Sequence, residues 1–436
     1  MTLADLTMPT LRDSRLDGLP VAIIGAGPIG LAAAANLYER GIDFVIYESG
    51  KTVASSMLSW GHIKLFSPWE FLIDPAARRI LEATGWQAPN AARLPSGAEL
   101  VERYLLPLAA SDALAPRLVT DVTVEAVSRQ GMDRTRSAGR ESTPFVLRML
   151  RSDGTPEETL ARAVIDASGT YATPNSLGSS GLDPLGLPGV ADRVSHALPD
   201  VLGTERAKFA GKHTTVVGAG HSAANTLLNL VELARQEPGT SVTWAIRNRS
   251  AIRVLGSADD ELQARASLGT RVQQLVDAGQ ITVIDRFEIT ELRGADARSI
   301  RVVGSRGGQP HHIDTDLIVN ATGFRPNLGM LREIRLELDD IVEAPRALAP
   351  LIDPNVHSCG TVEPHGFAEL RQPEPNFFIA GMKSYGRAPT FLLATGYEQV
   401  RSIAAWLAGD VASARAVQLT LPSTGVCSTG DAAGCC

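Results

Sequence analysis

The run VAIIGAGPIG, Val21 to Gly30, constrains this chain more than any other stretch of it. Val21 to Ile24 form a short continuous apolar segment, as a strand buried on both faces of a parallel sheet requires. Gly25, Gly27 and Gly30 then give a GxGxxG spacing, with Pro28 inside the same loop. In that spacing the first glycine permits a tight turn, the second lets a pyrophosphate approach the backbone, and the third lets helix and strand pack closely. The Ala-rich stretch from Leu31 to Arg40 is strongly helix-forming, and Gly41 stands where a left-handed cap is expected. The next strand, DFVIYE, ends at Glu48, at the distance where a carboxylate meets ribose hydroxyls. A chance glycine turn would carry none of the strand, the helix or the acid.

A second unit follows the same plan. Thr214 to Val217 form its strand, Gly218 and Gly220 its first two glycines, and Ala223 replaces the third, a recognised variant. His221 and Ser222 complete the phosphate-binding turn, where His221 is expected to be structural. A helix through Leu227 to Leu233 leads to the strand SVTWAIRNRS, which no acid terminates. Arg247 and Arg249 stand there instead, and a guanidinium suits a 2′-phosphate. The competing reading leaves both arginines as solvated charges at a strand end. FAD, which has no 2′-phosphate, suits the Glu48 site, and NADPH rather than NADH suits the arginine-bearing one. A flavin beside a nicotinamide implies hydride transfer.

Two further segments echo each other: DASGTYATPN, Asp166 to Asn175, and NATGFRPN, Asn320 to Asn327, which includes Thr322 and Gly323. Each follows an apolar strand-like run and turns at glycine, either as an ordinary strand-end turn or as a connection between an outer and an inserted domain. The fold expected is α/β, with two Rossmann-like dinucleotide-binding domains, the NADPH domain inserted into the FAD domain. The expected limits are 1–185 and 315–420 for the FAD domain, 186–314 for the insertion, and 421–436 for a flexible tail.

At 436 residues the chain has room for two or three domains. A net charge of −7 leaves no basic surface to dominate binding to nucleic acid. The N-terminal twenty residues have no apolar signal-peptide core, and no run is long enough to span a membrane, so a cytoplasmic protein is expected.

GAGPIG with Glu48, GAGHSAAN with Arg247, and ATGFRPN together resemble the flavin-containing monooxygenases, within the larger group of two-dinucleotide-binding flavoproteins. The resemblance runs from Val21 to about Leu407. It implies FAD in the N-terminal site, NADPH in the inserted domain, and oxygen transfer through a flavin hydroperoxide. Two departures make this a divergent relative. The family's GGxW segment is replaced by ASSMLSW, with Trp60 in the tryptophan place. Its FxGxxxHxxx(Y/F) fingerprint survives only as LPGVADRVSH, Leu187 to His196.

Toward the C-terminus, Phe377 to Ala380 read as a buried strand, Gly381 allows close backbone approach, and Gly396 to Leu407 carry a helical pattern. In related flavoproteins such a helix points its N-terminus at the flavin, which places Gly381 and Gly396 at the FAD. Lys383, Tyr385 and Arg387, in the loop between, either line a reaction cavity or sit on a solvated surface. Trp60, His62 and Trp69 are cavity candidates from SWGHIKLFSPWEF, where aromatic rings would exclude water from the flavin or simply fill the core. His62 is an acid–base candidate on the first reading and a structural histidine on the second.

Of four cysteines, Cys359 is the first, and Cys427, Cys435 and Cys436 fall in the last ten residues. A disulfide-stapled fold is excluded. So is a redox dithiol in the main body of the kind that flavoprotein disulfide reductases use. Three thiolates suit a soft thiophilic centre, so the tail reads as a metalloid trap, a redox relay or an idle end. The tail and SYGRAPTF, Ser384 to Phe391, resemble flavoprotein monooxygenases of bacterial arsenic-resistance clusters. That resemblance implies oxidation of trivalent arsenicals or antimonite to pentavalent forms. Two alternatives stay open: S- or N-oxygenation of a small organic compound, and a non-catalytic flavin redox sensor or thiol-metal carrier. The expected partners are a small-molecule or metalloid substrate and molecular oxygen, with the chain acting alone or as a homodimer.

Overall fold

Each glycine loop lies at the end of an inner strand of its own five-stranded parallel sheet, where a continuous apolar run can be covered on both faces. The computed structural model describes residues 15–249, 263–294, 299–353, 364–388 and 391–419. The four cysteines lie outside these residues.

The first sheet runs, edge to edge, Phe377–Ile379, Ala163–Asp166, Val21–Ile24, Phe44–Tyr47 and Leu118–Val119. Ile24 is in register with Tyr47 on one side and Asp166 on the other, so three strands deliver their carboxyl ends together. The second sheet runs Thr282–Ile284, Ser241–Ala245, His213–Val217, Leu317–Asn320 and Val194–Ser195. Each sheet's unit also carries a three-stranded antiparallel sheet: Val122–Arg129, Phe145–Arg151 and Pro156–Ala161 in the first, and Phe287–Gly294, Ile300–Arg306 and Gln309–Thr315 in the second. This is the two-dinucleotide-binding α/β architecture expected from the paired motifs.

The chain forms two compact units. One holds the described residues up to Thr170 and from Pro326 onward, and the other holds Tyr171–Arg325. The second unit is wider than 186–314 on both sides because the echoed segments pair with each other. The Asn175 amide donates to the Gly323 carbonyl at 2.9 Å, and the Arg325 amide to the Thr173 carbonyl at 3.0 Å.

In the first unit the helix Pro28–Glu39 is buried from Ile29 to Leu37. Its run Ala32–Ala35 has no side chain beyond Cβ, which lets the helix axis lie close to its neighbours. The helix Leu393–Leu407 packs against it. Buried charges in this unit are paired. Arg129 and Arg140 share the carboxylate of Glu374, at 2.8 Å each. Burial pushes the Glu374 carboxyl up, and the bonds from Arg140 and Arg129 more than reverse this, holding it below the usual range. No helix among the described residues is long and apolar enough to cross a membrane.

Candidate dinucleotide sites

At the first loop the backbone is shaped by what each glycine lacks. Gly25 adopts φ +97°, and a methyl there would lie 2.9 Å from the Ala167 carbonyl oxygen. A methyl on Gly30 would lie 1.9 Å from the Gly25 carbonyl oxygen, so the helix start fits against the strand end only without it. Gly27 is different: a methyl there meets nothing within 4 Å. Gly27 is also the N-cap of the Pro28–Glu39 helix, which has no side-chain cap and no acid in its first turn. The space over Gly27 and the positive end of that helix form a cradle that suits a diphosphate.

Glu48, 8% exposed, closes this loop. Its Oε2 accepts from the Ala26 amide at 2.7 Å and its Oε1 from the Gly50 amide at 2.9 Å. A carboxylate has about four acceptor positions. Two remain to receive the hydroxyls of a ribose, which is the chemistry FAD requires of this residue.

Gly381 and Gly396, expected at the flavin, both pack on Ile29 in the first turn of the Pro28–Glu39 helix. Methyls on them would lie 3.0 Å and 2.5 Å from Ile29 side-chain atoms. Gly381 has φ +69°, and its amide donates to Gln399 Oε1 at 2.8 Å. These glycines therefore bring the C-terminal strand and helix onto the dinucleotide helix. Among the cavity candidates, Lys383 is closed into a buried ion pair with Asp166 at 2.6 Å. Tyr385 is buried edge-on to Phe391 with ring centroids 5.1 Å apart. Burial pushes its phenol well above the usual range, so it stays neutral. Arg387 and His62 are exposed. Trp60 is half-buried against Gly97. Trp69 is fully buried, with an indole N–H that has no partner.

The second loop repeats the first. Gly218 has φ +130°, and a methyl there would lie 2.1 Å from the Ala321 carbonyl oxygen. Gly220 caps the helix His221–Gln236, which likewise has no side-chain cap and no acid in its first turn. A methyl on Gly220 meets nothing within 4 Å. Ala223 is buried under this turn, while His221 and Ser222 are half-buried. Trp244 Nε1 donates to the Gly218 carbonyl at 2.7 Å, fixing the turn from the neighbouring strand. That strand stops at Ala245, and the exposed Arg247 and Arg249 follow on the loop. The Arg247 guanidinium donates to the Ser179 carbonyl at 3.3 Å, leaving most of its donors for a phosphate. Thr322 and Gly323 adjoin this loop through Ala321. The Thr322 hydroxyl donates to Asn320 Oδ1, 2.7 Å away, and its oxygen lies 3.0 Å from the Asn175 carbonyl. Gly323 takes φ +95°.

Sequence reading missed Asp166 and Ser168, which are 215 or more residues from their partner Lys383. It also missed Trp244, although one large indole in an otherwise slim strand was a usable sign. No group of three or more His, Cys, Asp or Glu among the described residues is placed to hold a metal ion.

Comparison with known proteins agrees with this geometry. The family model "Pyridine nucleotide-disulphide oxidoreductase" matches residues 152–357. The chain is 29% identical to the indole-3-pyruvate monooxygenase YUCCA6 of Arabidopsis thaliana, over 49% of this chain and 45% of that one. It is 26% identical to a ferredoxin–NADP reductase of Salinispora tropica, over 73% of this chain and 78% of that one. Among solved structures it resembles the bacillithiol disulfide reductase Bdr (YpdA) of Bacillus cereus, with a TM-score of 0.67 and 20% identity. That alignment covers 90% of this chain and 99% of the other. Three chemistries thus share one fold, which is the two-dinucleotide-binding flavoprotein fold. The chain has that fold and is an oxidoreductase with FAD and NADPH as its cofactors.

Proposed function

We propose that this enzyme is an NADPH-dependent flavoprotein monooxygenase that adds one oxygen atom to a soft nucleophile, with trivalent arsenicals or antimonite as its substrates. The reading is carried by one acid-bearing and one arginine-bearing glycine loop on a chain with no cysteine before Cys359. A thiol pair in the main body is thereby removed, which leaves oxygen, another external acceptor or the tail for the reduced flavin, and the monooxygenase among the compared proteins favours oxygen. FAD held at the Gly25–Gly30 loop and Glu48 would supply hydride acceptance from NADPH and the activation of molecular oxygen. One oxygen atom goes to the substrate and the other leaves as water, with NADPH and one proton consumed.

The chain's own part is binding and orientation. Glu48 receives sugar hydroxyls, and Gly27 and Gly220 leave room for diphosphates at two helix N-termini. Arg247 and Arg249 meet the 2′-phosphate. A trivalent metalloid attacks electrophilic oxygen through its lone pair and needs no protein nucleophile. Cys427, Cys435 and Cys436 would gather it as thiolates. The compared proteins' names do not mention a metalloid. One of them, indole-3-pyruvate monooxygenase, favours a second reading, oxygenation of a small organic compound.

The test is NADPH oxidation by the purified yellow protein in air, with product analysis. Turnover that begins on adding antimonite or methylarsenite and yields the pentavalent product supports the proposal. Turnover driven only by a thioether, amine or keto acid overturns the substrate, and NADPH that never bleaches the flavin overturns the monooxygenase.

A further inference from the structure

Three neighbouring strands end together beside the first glycine loop, and the turn after one of them holds a charge pair that binding and hydride transfer do not use. Asp166 ends the strand paired to Val21–Ile24, and Ala167 and Ser168 follow it directly against Gly25. Asp166 is fully buried and Lys383 is 1% exposed. Lys383 Nζ donates to Asp166 Oδ2 at 2.6 Å and to Ser168 Oγ at 3.1 Å. The Ser168 hydroxyl donates to Asp166 Oδ1 at 2.7 Å, and its own amide reaches the same oxygen at 3.1 Å. Ser168 itself is exposed.

These bonds fix the polarity of one hydroxyl. Its single proton is committed to Asp166, and one lone pair is taken by the lysine ammonium. A hydroxyl has two acceptor positions, so one lone pair remains for the outside. Ser168 therefore faces the crevice at the carboxyl ends of the strands as an acceptor, the place where such sheets bind ligands. An acceptor repels a diphosphate oxygen and suits a hydroxyl or N–H.

We infer that Lys383 and Asp166 are positioning residues that lock Ser168 as an acceptor for a hydroxyl of the FAD sugar or sugar-alcohol chain. The inference rests on the assignment of FAD to this loop. The lysine and the aspartate do not touch the cofactor. Both act through Ser168, which is the residue that would.

The experiment measures FAD affinity of the apoprotein by quenching of flavin fluorescence, alongside the thermal midpoint without flavin. Removing Lys383 alone strands a buried carboxylate and threatens folding, so the pair is replaced together by apolar residues of similar volume, Lys383→Met with Asp166→Leu. Ser168→Ala should weaken FAD about fivefold, the loss of one hydrogen bond, when measured at a temperature where its apoprotein is folded. Because the same hydroxyl also serves the buried Asp166 and Lys383, the apoprotein midpoint should fall as well. The double variant should weaken FAD about two- to fivefold, and adding Ser168→Ala to it should go no further than Ser168→Ala alone. An unchanged affinity in Ser168→Ala overturns the inference. So does a triple variant in which the separate losses multiply, or a double variant that lowers only the apoprotein midpoint. A wild-type chain that does not bind FAD overturns the cofactor assignment and the inference with it, and is recognised before any variant is made.

Discussion

Gly27→Ala separates what the first glycine loop needs for folding from what it needs for its ligand. Gly27 has φ −77° and ψ −174°, a conformation that alanine adopts freely, and the added methyl meets no atom of the chain within 4 Å. Replacing a glycine at such a site stabilises by about 0.4–1 kcal/mol through the unfolded chain. Alanine is a poorer helix N-cap than glycine by a comparable amount. The apoprotein should therefore change by less than about 1 kcal/mol, roughly 2–4 °C in midpoint for units of this size. The bound diphosphate gains a methyl where backbone approach was closest, and overpacking of that kind costs about 1–3 kcal/mol, or about five- to 150-fold in Kd. Gly30→Ala is the control: its methyl would lie 1.9 Å from a backbone oxygen, so the apoprotein itself should lose stability. Flavin content on purification, fluorescence-quenching Kd and the flavin-free midpoint give the three readings. A Gly27→Ala protein that binds FAD as wild type does would show that no diphosphate lies over this residue. A Gly30→Ala protein with a wild-type midpoint would refute the packing argument.

Arg247→Ala and Arg249→Ala, both at exposed positions, should leave flavin content intact and lower kcat/KM for NADPH by about 10- to 100-fold each, with NADH unaffected. An unchanged NADPH-to-NADH ratio would return both arginines to the solvent. Asp74 is fully buried, and burial, opposed by bonds from Ala77 and Asn36, pushes its carboxyl from 3.8 to about 6. A carboxyl raised in the folded state contributes stability that is present below its unfolded value and lost as pH rises through 6. Two units correspond to roughly 3 kcal/mol. Asp74→Asn should therefore gain on the wild type in denaturant midpoint between pH 4 and pH 8, and parallel curves over that range would count against it.

The two loops could be read from sequence because each is a local object, a strand, three small residues and a helix within thirty positions. Gly25 and Gly30 meet backbone where an added methyl could not fit, and Glu48, read as the ribose acid, also holds the amides of Ala26 and Gly50. What could not be read depends on partners far apart in the chain. Lys383 looked like a cavity lysine because its loop is polar and broken by glycine, and nothing local announces Asp166, 217 residues earlier, as its counterion. Gly396 suggested approach to a cofactor, yet its missing side chain makes room for Ile29, a demand visible only once two helices are packed. Arg247 follows the same logic in reverse. Strand propensity carries SVTWA on toward RNRS, but the strand ends at Ala245, backbone bonds at Ile246 and Asn248 continue irregularly, and Arg247 and Arg249 are exposed on the loop that follows.

The strand Phe377–Ile379 has a consequence for how the molecule is made. It completes the first sheet beside Ala163–Asp166, but the whole of Tyr171–Arg325 is synthesised in between. While the nascent chain grows, the second unit is already continuous, whereas the first presents Ala163–Asp166, four fully buried residues in the finished protein, as an open edge. Unprotected apolar edges recruit other chains. Synthesis that stalls after the second unit and before residue 379 would thus yield a product with one sheet complete and the other primed to aggregate. Such a chain places its greatest demand on chaperones late in translation.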